Sequence, residues 1–275
     1  MLPSLVTFLA AVAAALAPTH LPPGFRVVTY GPAGGQIWRG AIAGARRAGM
    51  IYVPPDYSSG RRYPVIYLLA GMPGSPWSYV RSLSLASVAD TLIARREAAP
   101  FVAVIPPAGP SGHYSGEWAG PWERYLVRRV LPWAGAHLAV SADRTIAGLS
   151  AGGFGAVDIA LRHPRLFRRV ESWGGYFRPF RDGPLREASP VELAAHDPTL
   201  LVRVEAPLVR RLGVRFFVST GPGHGHVTAG ATLRFARLLR ALELRYRLEL
   251  LARKRDAWER QLVDGLRWAF ESART

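Results

Sequence analysis

The chain has 275 residues, 49% of them hydrophobic, so it is long enough to bury a full core within one domain. It contains no cysteine, which excludes disulfides, thiolate nucleophiles and sulfur-ligated metal sites. The formal net charge of +16 comes almost entirely from arginine, because Lys254 is the only lysine. These arginines are spread over the chain without an aromatic-interleaved stripe, so we expect no nucleic-acid partner, and a weak association with an anionic envelope surface stays open.

Residues 1–17 are apolar and carry no charged side chain. Together with the small residues before Pro18, this is typical of a signal peptide or an uncleaved N-terminal anchor. We therefore expect a secreted or cell-envelope associated (extracytoplasmic) protein, with residues 18–275 forming a single domain. Because the stretch has no basic residue, a buried N-terminal helix of a cytoplasmic protein is the alternative.

Beyond Pro18, short β-branched or aromatic runs alternate with longer amphipathic stretches. This alternation predicts an α/β fold, a mostly parallel central sheet of about eight strands with helices on both faces. The first three runs are joined by glycine-containing turns, so the sheet is expected to open with antiparallel hairpins. The predicted strands are residues 25–30, 36–43, 46–53, 63–69, 101–105, 144–149, 166–172, 214–219 and 244–250.

Helices are predicted at residues 87–97, at 122–138, from Ser150 to near His163, and at 256–271. The final helix carries one apolar stripe, which is the pattern of core packing rather than of a cofactor site. The stripe consists of Trp258, Leu262, Leu266 and Ala269.

The segment from Gly148 to Gly152 reads Gly-Leu-Ser-Ala-Gly and fits the pattern G-x-S-x-G. It falls where a predicted strand ends and a helix begins, which is the context of a nucleophile elbow. Such a turn needs small residues beside the serine, since larger ones would clash with the neighbouring backbone. Ser150 is therefore the candidate nucleophile.

A glycine-rich loop, residues 69–74, follows the buried strand at 63–69. Such a loop can bring backbone close to a substrate carbonyl. We predict that the backbone N–H groups of Met72 and Ala151 form an oxyanion hole. A plain turn is the alternative for this loop.

Segments 47–57, 63–71 and 147–156 resemble the esterase D and mycolyltransferase branch of the α/β hydrolases. The resemblance implies an α/β-hydrolase fold and a serine esterase that acts on acyl esters, without a cofactor. It matches Ser150 to the family's nucleophile and residues 70–72 to its oxyanion loop. By the same resemblance, the substrate groove would be bordered by Gly71, Glu117, Trp118 and Tyr176.

The catalytic acid and histidine of the family are not found at the positions where the resemblance would place them. After the strand at 214–219 the chain carries His224 and His226 and no carboxylate, and after the last strand Arg255 stands where the histidine is expected. Arginine cannot act as a general base because its pKa stays above about 12. An exchanged arrangement is one solution, with His226 or His224 as the base and Asp256 orienting it.

Other titratable residues are weaker candidates. Glu171 and Asp182 are alternatives for the acid, and His113 for the groove. We expect structural roles for His137, His163 and His196. No metal site is expected, because two histidines at 224 and 226 are too few ligands.

Three functions remain open. The first is hydrolysis of a small-molecule or lipid carboxylic ester through Ser150. The second is a non-catalytic relative that binds an acyl or glycolipid ligand. The third is acyl transfer of the mycolyltransferase type. The sequence does not indicate an oligomeric state.

Overall fold

One nine-stranded sheet runs through the part of the chain described by the computed structural model, residues 21–108, 118–221, 225–252 and 257–271. For residues 225–227 the backbone alone is described. The strands are β1 (Arg26–Tyr30), β2 (Gln36–Gly40), β3 (Gly49–Val53), β4 (Tyr63–Leu69), β5 (Val102–Ile105), β6 (Val140–Leu149), β7 (Arg169–Trp173), β8 (Arg215–Thr220) and β9 (Arg245–Leu250).

The strand order is β1-β2-β3-β5-β4-β6-β7-β8-β9. β1, β2 and β3 pair antiparallel, and β3 also pairs antiparallel with β5. From β5 onward every pair is parallel. This confirms the predicted mostly parallel sheet with antiparallel hairpins at its start.

Helices fill the connections between the parallel strands. They are α1 (Leu85–Ala94), α2 (Pro121–Tyr125), α3 (Leu131–His137), α4 (Ala151–Arg162), α5 (Pro190–Ala194), α6 (Pro198–Leu212), α7 (Gly225–Ala241) and α8 (Ala257–Ala269). A π-helical segment, Leu126–Val130, joins α2 to α3. None of the helices in the described residues has the length and apolarity needed to cross a membrane.

Both faces of the sheet are buried. In β4, Val65 and Tyr67 belong to a core cluster shared with α2, α3, α4, α6 and α7, whereas Ile66 and Leu68 belong to a second cluster shared with α1 and α8. This alternation explains why β4 reads as a continuous apolar run, since successive side chains enter opposite cores. Burying each such aliphatic side chain contributes about 1.5–3 kcal/mol to folding.

The structure corrects the bounds of several predicted strands. The strands expected at 36–43 and 46–53 are shorter, because Ala43 and Gly44 have φ angles of 52° and 74° and form a turn that ends the extended backbone. β6 starts at Val140, four residues before the predicted start at 144. β9 is an edge strand, and its Leu250 is 59% exposed.

The sequence analysis did not predict α5, α6 or α7. In α6 an internal proline, Pro207, obscures the pattern, although Val202, Ala206 and Val209 are buried at helical spacing. The helix also has an N-terminal cap, since the carboxylate of Asp197 accepts a hydrogen bond of 2.8 Å from the N–H of Thr199. The final helix is confirmed as core packing, with Leu262, Leu266 and Ala269 buried and Trp258 packed against them.

Candidate active site

Ser150 sits in a sharp turn between β6 and α4. Its backbone angles are φ 51° and ψ −115°, a conformation that L-residues rarely adopt. The turn is fixed on both sides, because the Ser150 N–H donates to the carbonyl of Trp173 in β7 (3.0 Å) and the Phe154 N–H donates to the carbonyl of Ser150 (3.0 Å). The serine is half-buried, at the carboxyl end of the parallel strands.

The two glycines of the G-x-S-x-G pattern have no room for a side chain. A Cβ atom on Gly148 would lie 2.3 Å from the carbonyl carbon and oxygen of Gly152. A Cβ atom on Gly152 would lie 2.0 Å from the carbonyl oxygen of Leu69. These distances are far below van der Waals contact, so the close approach of β4, β6 and α4 requires glycine at both positions.

The loop after β4 lies directly against the serine. A Cβ atom on Gly71 would be 3.2 Å from the Cβ of Ser150 and 2.8 Å from the carbonyl oxygen of Leu149. Met72 follows in the same loop and is 43% exposed. Ala151 is the first residue of α4, where backbone N–H groups have no partner within the helix. Both predicted oxyanion residues therefore flank Ser150.

Two buried aromatic side chains donate hydrogen bonds to the backbone of this loop. The indole N–H of Trp118 donates to the carbonyl of Ala70 (2.9 Å), and the hydroxyl of Tyr79 donates to the carbonyl of Leu69 (2.8 Å). Trp118 is 1% exposed and its Cβ packs against Gly155 of α4. Little of its surface is left for a substrate, so we assign Trp118 to the support of the loop.

Tyr176 forms an aromatic wall beside the nucleophile helix. It follows β7, and its ring stacks on Phe154 with a centroid distance of 5.4 Å and packs edge-on against Phe180 at 4.7 Å. Phe154 lies one helical turn after Ser150. The sequence analysis named Tyr176 but missed Phe154 and Phe180. The aromatic run at residues 176–180 could have indicated Phe180.

Several predicted site residues lie outside the described residues, namely His113, Glu117, His224 and Asp256, as does Arg255, which stands where the family's histidine is expected. His226 lies in the first turn of α7, where its backbone alone is described.

The loops after β8 and β9, which carry His224, His226 and Asp256, start side by side at the end of the sheet. The N–H of Leu251, just after β9, donates to the carbonyl of Thr220 at the end of β8 (2.8 Å). A Cβ atom on Gly221 would lie 2.8 Å from the Cβ of Leu251. β8 also contacts the loop after β7, since the Gly174 N–H donates to the carbonyl of Ser219 (2.7 Å). The segment with His224 and His226 therefore starts next to the segment with Asp256.

Glu171 is not placed to act as the acid. Its side chain is fully buried on the face of β7 covered by α8, against Gly265. One carboxyl oxygen accepts a hydrogen bond of 2.9 Å from the indole N–H of Trp173. Burial raises the pKa of Glu171 to about 8, so the group is mostly protonated at neutral pH. Asp182, the other weak candidate, precedes the short 3₁₀ turn Gly183–Leu185.

Three histidine side chains in the described residues are engaged elsewhere. His137 contacts the carbonyl of Trp133 (2.9 Å), and His163 contacts the carboxylate of Glu123 (2.8 Å). His196 is buried and its Nδ1 lies 2.7 Å from the carboxylate of Asp158.

The Asp158–His196 pair was missed by the sequence analysis. The two residues are 38 positions apart, and burial raises the pKa of Asp158 above its ordinary value. No local pattern links an aspartate on a helix to a distant histidine. Because α4 carries Asp158 two turns after Ser150, the pair fixes the far end of the nucleophile helix.

The strand order, the helices on both faces and a serine in a strained strand-to-helix turn define an α/β-hydrolase fold of the serine-esterase type. Similar solved structures share this fold. A ferulic acid esterase has a TM-score of 0.68 at 21% identity, with 90% of this chain and 98% of that chain covered. An S-formylglutathione hydrolase from Agrobacterium tumefaciens has a TM-score of 0.67 at 17% identity, with 89% and 98% covered. FphF, a fluorophosphonate-binding serine hydrolase of Staphylococcus aureus, has a TM-score of 0.63 at 15% identity, with 90% and 99% covered.

Sequence comparison then gives the family. The model of the family described as "Putative esterase" matches residues 40–269, and the chain belongs to this esterase family. Esterase Rv1288 and Esterase MT1326 of Mycobacterium tuberculosis, from strains H37Rv and CDC 1551, are each 33% identical to it over 134 residues. The match covers 46% of this chain and 28% of each relative, so it spans little more than a quarter of their length.

Proposed function

We propose that the chain hydrolyses carboxylic esters with Ser150 as the nucleophile. The observation that carries this proposal is the backbone of Ser150, which is held at φ 51° and ψ −115° with Gly71 packed against its Cβ. A strained conformation persists only where the surroundings impose it, and such strain clusters at active sites. The esterase family, and the esterases among the similar proteins, support an ester as the substrate.

The chemistry proceeds in two steps. The Ser150 hydroxyl oxygen attacks the ester carbonyl carbon, its proton passes to a base, and the carbonyl oxygen becomes an oxyanion facing the N–H groups of Met72 and Ala151. The carbon–oxygen bond to the alcohol then breaks and the alcohol takes up the proton. Water attacks the acyl-serine in the second step, which releases the acid and restores the serine.

For the base we retain His226 or His224, with Asp256 orienting it. The described backbone supports this exchanged arrangement, because the segments after β8 and β9 are joined at their start by the Leu251–Thr220 hydrogen bond. A serine triad is defined by the geometry and roles of its members and not by their order in the chain, so either of two adjacent loops can supply the base or the acid.

A matched pair of serine variants tests the proposal. Wild type should hydrolyse para-nitrophenyl acyl esters, and Ser150→Ala should lower kcat/KM by at least about a thousandfold, since the nucleophile is removed. Ser87→Ala is the control, because Ser87 is exposed on α1, and it should keep wild-type activity. Unchanged turnover in Ser150→Ala would contradict the proposal.

A non-catalytic relative that binds an acyl or glycolipid ligand is the second candidate. It is favoured by one observation, namely that Arg255 stands where the resemblance places the histidine. Under this alternative, wild type shows no turnover and Ser150→Ala binds a fatty acyl ligand as tightly as wild type. Turnover that depends on Ser150 would exclude it.

A further inference from the structure

A cavity of about 440 Å³ opens between the loop after β7 and the helices α6 and α7. Its size falls within the range of pockets that bind small organic molecules. The sequence analysis did not predict it, since it depends on two helices that were not predicted.

The cavity is aromatic inside. Its floor is a parallel stack of Phe177 and Phe235, whose ring centroids are 4.0 Å apart. Tyr176 and Phe180 form a wall, and Phe180 is 49% exposed. An exposed large aromatic side chain beside a concave apolar surface is typical of a ligand site.

Arginines surround this aromatic interior. Arg178, Arg203 and Arg234 line the cavity, and no acidic residue in the described part of the chain lines it with them. Arg178 lies 3.5 Å from the carboxylate of Asp197. Arg203 and Arg234 are exposed, and within the described residues neither has a carboxylate at ion-pair distance. The cavity therefore offers apolar surface below and two uncompensated positive charges above.

Tyr176 connects this cavity to the nucleophile. The tyrosine lines the cavity and stacks on Phe154, whose backbone N–H donates to the carbonyl of Ser150. One helical turn of about 5.4 Å and one ring stack therefore link Ser150 to the cavity wall.

We propose that this cavity binds the distal part of the ester substrate, and that this part is an apolar group ending in a carboxylate. The assignment rests on the proposed function of Ser150 and adds the substrate class to it. The phenyl rings contact the apolar group, while Arg203 and Arg234 donate charge-assisted hydrogen bonds to the anion. A neutral ester of the same length lacks the second interaction.

Dye binding tests the cavity independently of turnover. In Ser150→Ala protein, anilinonaphthalene sulfonate should bind more tightly than its uncharged analogue N-phenylnaphthylamine. Adding Arg234→Gln should weaken the anionic dye about fivefold and the neutral dye less, as expected for one exposed charge contact. Phe180→Ala should weaken both dyes, because it removes apolar wall.

Arg237→Gln is the matched control, since Arg237 is exposed on the same helix and does not line the cavity. It should leave the binding of both dyes unchanged. Equal weakening of the anionic dye by Arg234→Gln and Arg237→Gln, or no weakening by Arg234→Gln, would overturn the proposal.

Turnover tests the substrate class. Wild type should have a higher kcat/KM for the para-nitrophenyl monoester of suberic acid than for para-nitrophenyl octanoate, which has the same chain length without the carboxylate. Arg234→Gln should lower this ratio about fivefold, and Arg237→Gln should keep it. A ratio that Arg234→Gln does not change would overturn the assignment. If neither ester is hydrolysed, the proposed function fails, and the dyes alone decide whether the cavity selects anions.

Discussion

The turn at Ser150 and the part of the sheet formed by β7, β8 and β9 are built from different interactions. We call this part the C-terminal edge. Around Ser150 the decisive contacts join backbone atoms, and they exist because Gly71, Gly148 and Gly152 have no side chains. These contacts join segments that each carry a short, recognisable pattern. The nucleophile turn is therefore specified by glycines in short patterns, which a sequence shows directly.

At the C-terminal edge, buried polar side chains meet instead. Glu171 pairs with the indole of Trp173, and the amide of Gln261 on α8 donates to the hydroxyl of Ser219 (2.8 Å). Glu249 has a pKa raised to about 7 by burial and by the neighbouring carboxyl group of Asp264. The contacts of Gln261 with Ser219 and of Glu249 with Asp264 join α8 to two different strands, so the environment of the loops that carry the predicted base depends on how α8 packs on the sheet. The comparison teaches that this chain fixes its nucleophile turn through glycines in short sequence patterns, and the surroundings of its base through side chains of separate elements.

The largest effect is expected from a methyl group at the turn. Gly152→Ala places a Cβ 2.0 Å from the carbonyl oxygen of Leu69, so β4 and α4 must move apart. We expect a loss of about 3 kcal/mol or more in the free energy of unfolding, together with loss of ester hydrolysis. Thermal and urea unfolding measure the first, and turnover of a para-nitrophenyl ester the second.

The same glycine-to-alanine substitution at Gly135 should change the free energy of unfolding in the opposite direction. Gly135 is exposed in α3 and a Cβ atom there would meet nothing within 4 Å. Gly135→Ala should therefore stabilise the protein by up to about 1 kcal/mol, because alanine favours the helix. Similar stability changes in the two variants would show that the turn is not sterically constrained.

An intermediate effect is expected where a side chain supports the turn. Trp118→Phe removes the hydrogen bond to the carbonyl of Ala70 and leaves that buried carbonyl without its partner. We expect a loss of about 1–3 kcal/mol in the free energy of unfolding. Because Ala70 belongs to the predicted oxyanion loop, kcat should fall more than KM changes. Trp133→Phe, on α3, is the control, and an equal fall in kcat there would remove the specific role of Trp118.

A further prediction concerns pH and the buried acid of the C-terminal edge. The pKa of Glu171 is about 8 in the fold against 4.5 as its ordinary value. Between these values the folded protein holds a proton that the unfolded chain has released, so this group makes the free energy of unfolding fall as pH rises from 4.5 to 8. Glu249, with a pKa of about 7, acts in the same direction over a narrower window.

Glu171→Gln tests this by replacing the protonated acid with a neutral isostere. The variant should lose less stability than wild type between pH of about 5 and about 9, as measured by urea unfolding at each pH. Glu259→Gln, exposed on α8, should keep the wild-type dependence. An unchanged pH dependence in Glu171→Gln would mean that the buried carboxyl is not the group that titrates.

The same contrast explains what the sequence could predict. The strands, the strand-to-helix position of Ser150 and the loop at Gly71 follow from hydrophobic runs and from glycine patterns that are local. The helix α6 was missed because Pro207 interrupts an otherwise regular apolar spacing. The Asp158–His196 pair and the burial of Glu171 depend on which helix covers which face, and neither has a local signal.

The nucleophile assignment is tested most directly by reaction with a fluorophosphonate, followed by peptide mass mapping. An activated serine attacks the phosphorus, expels fluoride and keeps the phosphonyl group as a covalent adduct. The account predicts one adduct on the peptide that contains Ser150, and none in Ser150→Ala. Wild-type protein that stays unlabelled, or an adduct that persists in Ser150→Ala, would contradict it.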